Sequence, residues 1–104
     1  MKTFDEATKR IALEIVSLIV MKQHDYGQGN ILAFGEFGVL VRASDKLERL
    51  KNLLKKDLEP ENESIIDTWR DLAGYAIIAL MLREDTFSLP LENKDEINGR
   101  GLAI

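Results

Sequence analysis

Glu63–Arg83 reads ESIIDTWRDLAGYAIIALMLR, and this stretch decides the fold. Its apolar residues Ile65, Ile66, Trp69, Leu72, Ala73, Ala76, Ile77 and Leu80 recur at helical spacing. From Leu72 to Leu82 only Gly74 and Tyr75 break the apolar series, so the pattern predicts a helix buried on more than one side. The preceding Glu59–Asn62 (EPEN) holds Pro60, which ends a helix, and Asn62, a candidate N-cap.

Upstream, a second helix is predicted from Gly35 or Glu36 to Asp57. Leu40, Ala43, Leu47, Leu50 and Leu54 give it an apolar face at spacings of three and four, flanked by Arg42, Asp45, Lys46 and Arg49. A first helix is predicted over Phe4–Gln23, with Thr3 as N-cap and Asp5 and Glu6 in the first turn, where the helix dipole favours acids. In its interior, IALEIVSLIVM (Ile11–Met21), only Glu14 and Ser17 interrupt the apolar residues, and they share one narrow stripe. Downstream, Thr86–Ile104 is weakly patterned. It reads as an extended arm over residues 85–104, with Phe87, Leu89, Leu91, Leu102 and Ile104 free to pack on a neighbour, appended to a helical domain over residues 1–84.

Two helices wrapped in apolar residues cannot hide every face within a three-helix chain. The expected fold is therefore all-α, a small helical bundle with three main helices per chain, completed by homo-oligomerisation. The 104 residues suit one domain. A net charge of -4 argues against a generic nucleic-acid backbone binder, though not against a small phosphorylated ligand held by a few local cations. With no cysteine and one histidine, thiolate and multi-histidine metal sites are excluded within one chain, leaving a hard cation held by carboxylates. The apolar runs reach about half the ~20 residues of a bilayer span. Acids precede the first of them, unlike a secretory leader, so the expected setting is soluble and cytoplasmic.

Chemistry concentrates in three places. On the third helix Asp67, Asp71 and Tyr75 lie four residues apart on one polar stripe, with Glu63 one turn earlier. Carboxylates so aligned repel unless something positive faces them. That could be Mg²⁺ with its oxygen shell, or the cations of the second helix as ion-pair partners. There, Arg42, Lys46 and Arg49 form a stripe suited to phosphate oxygens. Asp45 lies between Arg42 and Arg49, within reach of an intrahelical ion pair. The third place is HDYGQGN, His24–Asn30. Lys22 and His24 could contact phosphate and Tyr26 could stack on a base, while Gly27 and Gly29 allow close backbone approach; equally, Gly27 could simply close the first helix.

Together these pieces resemble the nucleotide-modification-associated domain family, a group common in phages and prophages. The resemblance rests on Lys22 with DYG (Asp25–Gly27), FGVLVR (Phe37–Arg42), SDK (Ser44–Lys46), RLKNL (Arg49–Leu53), ESI (Glu63–Ile65), DT (Asp67–Thr68), DLA (Asp71–Ala73) and YAI (Tyr75–Ile77). It implies a nucleotide substrate class rather than a named reaction. The helical layout also looks like the all-α nucleoside triphosphate pyrophosphohydrolases of the MazG and dimeric dUTPase group, which hold magnesium on paired acidic motifs of two adjacent helices. This chain departs from that pattern, because its second helix offers DKLE with cations interleaved.

The expectation is a nucleotide or nucleoside phosphate bound between the second and third helices. Lys22, His24, Tyr26, Arg42, Lys46, Arg49 and Tyr75 would bind it. Asp45, Asp67 and Asp71 would hold Mg²⁺, and Asp67 and Asp71 would act in a pyrophosphohydrolase-like reaction. The alternatives are a non-enzymatic protein that sequesters a defence-signalling nucleotide, and a structural oligomer whose charges only pair with one another.

Overall fold

A computed structural model describes residues 2–57, 59–60 and 63–92. Those residues form three helices, α1 (Phe4–Tyr26), α2 (Gly29–Lys56) and α3 (Ile65–Arg83), with no strand among them. None of the three is long and apolar enough to cross a membrane. The terminal residues of the arm, including Leu102 and Ile104, and the candidate cap Asn62 lie outside the described residues.

Capping chemistry sets the ends. The Thr3 hydroxyl accepts from the Glu6 N–H at 3.1 Å, satisfying one of the free donors of the first turn of α1. At the other end α1 continues three residues past the predicted Gln23. Gly27 stops it with φ 71°, its N–H donating to the Gln23 carbonyl at 2.9 Å. The stretch His24–Asn30 is therefore the last turn of one helix, a two-residue turn and the start of the next, not a loop. Helix α2 begins earlier than predicted, at Gly29, but breaks at Gly35 (φ 64°, ψ -158°), so its long straight part starts at the predicted Glu36. Ser64 caps α3, its hydroxyl accepting from the Asp67 N–H at 3.0 Å. Glu63 consequently precedes the helix and does not continue the Asp67–Asp71–Tyr75 stripe.

Helix α3 is the centre of the fold. It packs against α1 on one side and α2 on the other, and α1 and α2 do not pack on each other. At the α1 contact Gly74 is buried, and a Cβ there would sit 3.5 Å from Ile19 Cγ1, ordinary contact that leaves α1 close to the α3 backbone. After α3, the Thr86 N–H returns to the Met81 carbonyl at 2.9 Å and turns the chain inward. Phe87, expected to await a neighbour, is instead buried within its own chain.

The face that α2 turns to α3 overlaps the predicted one only at Leu50 and the half-buried Ala43. Leu40, Leu47 and Leu54 are exposed, whereas Val39, Leu50 and Leu53 are buried beside the half-buried stems of Arg42, Lys46 and Arg49. The polar side of α3 explains the rotation. Thr68 is fully buried and lies among charged groups. Its hydroxyl accepts from Arg49 Nε at 3.3 Å and is within reach of Glu63 Oε2 and the Ser64 carbonyl, one of which takes its single proton. Thr68→Val keeps the shape and removes these bonds. It is expected to cost about 1–3 kcal/mol, because partly buried charged groups lose a partner. A urea titration should show a lower midpoint at unchanged slope, and an unchanged midpoint would mean that the hydroxyl contributes nothing.

Candidate functional site

Because α1 and α2 meet α3 without meeting each other, a cleft opens between them with α3 as its floor. It holds about 470 Å³, within the size range of small-ligand sites. Lys22, Gln23, Tyr26 and Gly27 line it from α1 and its cap, Asn30, Ile31, Arg42 and Lys46 from α2, and Asp71, Gly74, Tyr75 and Ile78 from α3, with Leu18, Ile19 and Phe87 adding apolar wall. One face of each helix meets there. On α3, Asp71, Gly74, Tyr75 and Ile78 recur at three and four residues, as do Lys22 and Tyr26 on α1 and Arg42 and Lys46 on α2.

Asp71 sits at the middle of the charges, with a side chain only 10% exposed. Lys22 donates to its Oδ1 at 2.8 Å, and the Lys46 ammonium lies 3.0 Å from its Oδ2. Lys46 also donates to Glu63 Oε1 at 2.7 Å. Burial would raise the Asp71 pKa, but hydrogen bonds from the two lysines outweigh it and hold the carboxyl below its ordinary 3.8. For Lys46, burial would lower the pKa, and the bonds to Glu63 and Asp71 outweigh it, holding the ammonium above 10.5. Both groups are charged across the whole range in which the fold is expected to operate.

Arg42 differs from both lysines. It lines the cleft half-buried and has no hydrogen-bond or ion-pair partner among the described residues. The cleft therefore presents three cationic side chains against one carboxylate, on a chain whose net charge is -4.

A model of the family described as "Nucleotide modification associated domain 1" matches residues 22–82, more than half of the chain. The chain belongs to this family. No curated protein and no solved structure matches it. In this family member the matched region starts at Lys22, on the cleft wall, and takes in all of α2 and nearly all of α3.

Of the ten side chains expected to contact ligand or metal, this nucleotide-modification-associated domain brings six together in the cleft: Lys22, Tyr26, Arg42, Lys46, Asp71 and Tyr75. The others lie elsewhere. His24 points to a separate hollow beside Val20, Pro90 and Leu91. Arg49 is turned toward the start of α3, where it donates to the Glu63 carbonyl and to Thr68. Asp67 is exposed and pairs with Arg70 at 3.3 Å, in a shallow depression on the α1 side of α3. Asp45 is exposed, and the intrahelical pair expected for it is not formed. Asp45, Asp67 and Asp71 thus do not converge, and among the described residues no three acidic or histidine side chains form a group able to hold a metal. A carboxylate cage for Mg²⁺ does not fit this arrangement. Gln23 and Phe87 are cleft residues that nothing in the sequence pattern marked, since one lies inside a helix and the other in an unpatterned tail.

Proposed function

We propose that this domain binds a nucleotide or other nucleoside phosphate in the cleft between α1 and α2. The observation that carries the reading is Arg42. A half-buried guanidinium without an internal acceptor has lost part of its hydration with no compensating bond. An anion from outside restores that bond, and a phosphate does so with two parallel hydrogen bonds. Lys22 and Lys46 lie on the same cleft and add charge. Tyr26 at the rim and Tyr75 on the floor offer ring faces to a base, and the Asn30 amide can donate to and accept from a base edge. The family description supports the same substrate class.

The arrangement favours holding the ligand over hydrolysing it. A general base or a metal-bound water needs a free carboxylate beside the phosphate. Among the described residues Asp71 is the one acid lining the cleft, and both of its oxygens are engaged by lysines. Any magnesium would enter with the ligand's phosphates rather than in a cage supplied by the protein. Sequestration of a nucleotide is consistent with this reading, and the pyrophosphohydrolase alternative is an outcome of the same experiment.

The test is a thermal-shift and calorimetry panel of nucleoside mono-, di- and triphosphates, with and without Mg²⁺, followed by chromatography of the recovered nucleotide. Binding at a hundredfold excess over Kd stabilises the fold by about 2.7 kcal/mol, which in a domain this small raises the Tm by on the order of 10 °C. The expected result is such a shift, weakened by salt, with the nucleotide recovered intact. Release of pyrophosphate would replace binding by hydrolysis. No shift with any nucleotide would overturn the proposal.

A further inference from the structure

The side of α3 opposite the cleft carries an uncovered apolar stripe. Ile66, Trp69, Ala73, Ala76 and Leu80 are all exposed there, at alternating spacings of three and four residues and with no charged side chain among them. The stripe continues onto α2 through a mainly apolar groove whose lining includes Phe37, Leu40, Ala43 and Ala76 and also the Glu36–Arg83 ion pair at 3.0 Å. Beyond that groove Leu47 and Leu54 follow Leu40 at seven-residue steps. The seven large side chains of this face (Phe37, Leu40, Leu47, Leu54, Ile66, Trp69 and Leu80) are each between 49% and 74% exposed. Monomeric proteins rarely leave a contiguous apolar surface of this extent uncovered.

We propose that this face is the contact between two copies of the chain, related by a twofold axis passing near Ala73. The area supports a second copy. The exposed parts of these seven side chains come to roughly 700 Å², close to the ~800 Å² per partner of a standard stable interface. The pattern also matches itself. A twofold contact must be self-complementary, and when α3 pairs antiparallel with α3 of the other copy about Ala73, Trp69 of each faces Ala76 of the other. Ile66 then meets Leu80, and Ala73 meets its own counterpart. The small residues at the centre allow the helix axes to come within about 8–10 Å, with the bulky residues closing both ends. The leucine stripe of α2, unused inside its own chain, lies alongside and completes a four-helix layer. Both clefts remain open on the outer sides, so the pairing does not depend on the ligand-binding proposal.

The experiment is sedimentation equilibrium of the full chain, combined with cysteine cross-linking, which is clean because the protein has no cysteine. The wild type is expected at twice the 11.8 kDa chain mass. Ala73→Glu is expected to weaken association by at least tenfold with the helical circular dichroism retained. Ala73→Cys should form an intermolecular disulfide under mild oxidation, since the axis brings the two Cα atoms within the ~7 Å that a bridge requires. Lys9→Cys, on the exposed side of α1, should not. The cross-link also decides the matter if Ala73→Glu fails to fold. A wild type that remains a monomer at high protein concentration would overturn the proposal, as would a dimer that cross-links through Lys9→Cys and not through Ala73→Cys.

Discussion

Arg42→Glu is expected to weaken nucleotide binding by on the order of a hundredfold while lowering the stability of the fold only slightly. Two features combine to give this result. Arg42 lines the cleft, and it has no partner among the described residues, so its loss breaks no internal bond. Its half-buried stem loses some apolar contact, so the cost to stability is on the order of 0.5–1 kcal/mol, well below that of breaking an internal ion pair. A charged hydrogen bond to phosphate is worth about 1.5–3 kcal/mol, and reversing the charge adds repulsion, which together reach the ~2.7 kcal/mol of a hundredfold change. Arg42→Ala, which removes the bond without the repulsion, should cost about tenfold by the same scale. Calorimetric titration and urea unfolding of the same preparations separate the two effects. Lys46→Ala would not, because Lys46 joins Asp71 to Glu63 and its loss disturbs fold and cleft together. Unchanged affinity in Arg42→Glu would remove the cleft as the binding site.

The parts of this fold that were legible in the sequence are those decided locally. Thr3 with Asp5 and Glu6 marks the start of α1, and the apolar run after Leu72 marks α3, because capping groups and apolar period act within a few residues; α2 ends near the predicted Asp57, which caps it in the left-handed conformation. The orientation of α2 was not legible. Of the predicted stripe Leu50 is buried, but Leu40, Leu47 and Leu54 are exposed, and Val39 and Leu53 are buried in their place. An apolar stripe records that a face avoids water, not which chain covers it. The stripe with Arg42, Lys46 and Arg49 faces α3 because Asp71, Thr68 and the preceding Glu63 demand donors there. The long stems of these cations supply apolar contact as well.

The same reasoning explains the candidate site. Arg42, Lys46, Asp71 and Tyr75 could be named in advance from helical spacing, whereas Lys22 and Tyr26 were marked by the polar cluster at the end of α1, which the structure shows to be helical through Tyr26. Asp67 shares the four-residue repeat of Asp71, but each such step overshoots a 3.6-residue turn by about 40°, and Asp67 falls on the α1 side, where Arg70 and Glu14 already form an ion pair at 3.4 Å. His24 shares a turn with Tyr26, but residues two apart on a helix point in different directions. Glu63 looked like a further member of the acidic stripe. It is the residue before the Ser64 cap, and from there it ties down Lys46 and Arg49.

Asp71→Asn separates the two roles that its position allows. If the carboxylate acted on the ligand directly, through a metal or as a base, the substitution would weaken binding or stop turnover with little change in stability. The bonds it makes imply the opposite. Asp71 holds Lys22 and Lys46 at 2.8 and 3.0 Å, so it occupies the lysines that a phosphate would otherwise engage. An asparagine keeps one acceptor oxygen but turns an amide donor toward the other ammonium. The expected cost is about 1–3 kcal/mol of stability, from the loss of charged hydrogen bonds at a largely buried carboxylate. Nucleotide affinity is expected to rise by about tenfold, because the ligand no longer competes with an internal anion for the two lysines. The pH dependence should change as well. The folded pKa of Asp71 lies below 3.8, so the unfolded chain takes up its proton first. Its contribution is complete above the unfolded value and is lost as pH falls through the folded one. Lys46, held above 10.5, contributes fully below that value and loses its contribution as pH rises through the higher folded one. Unfolding curves across acid pH should therefore flatten in Asp71→Asn, and the alkaline contribution of Lys46 should shrink as well, because Asp71 is one of the two acids that hold its pKa up. Tighter binding in a less stable, less acid-sensitive variant would identify Asp71 as the internal counter-ion of the anion site. Weaker binding at unchanged stability would make it a ligand-contacting residue instead.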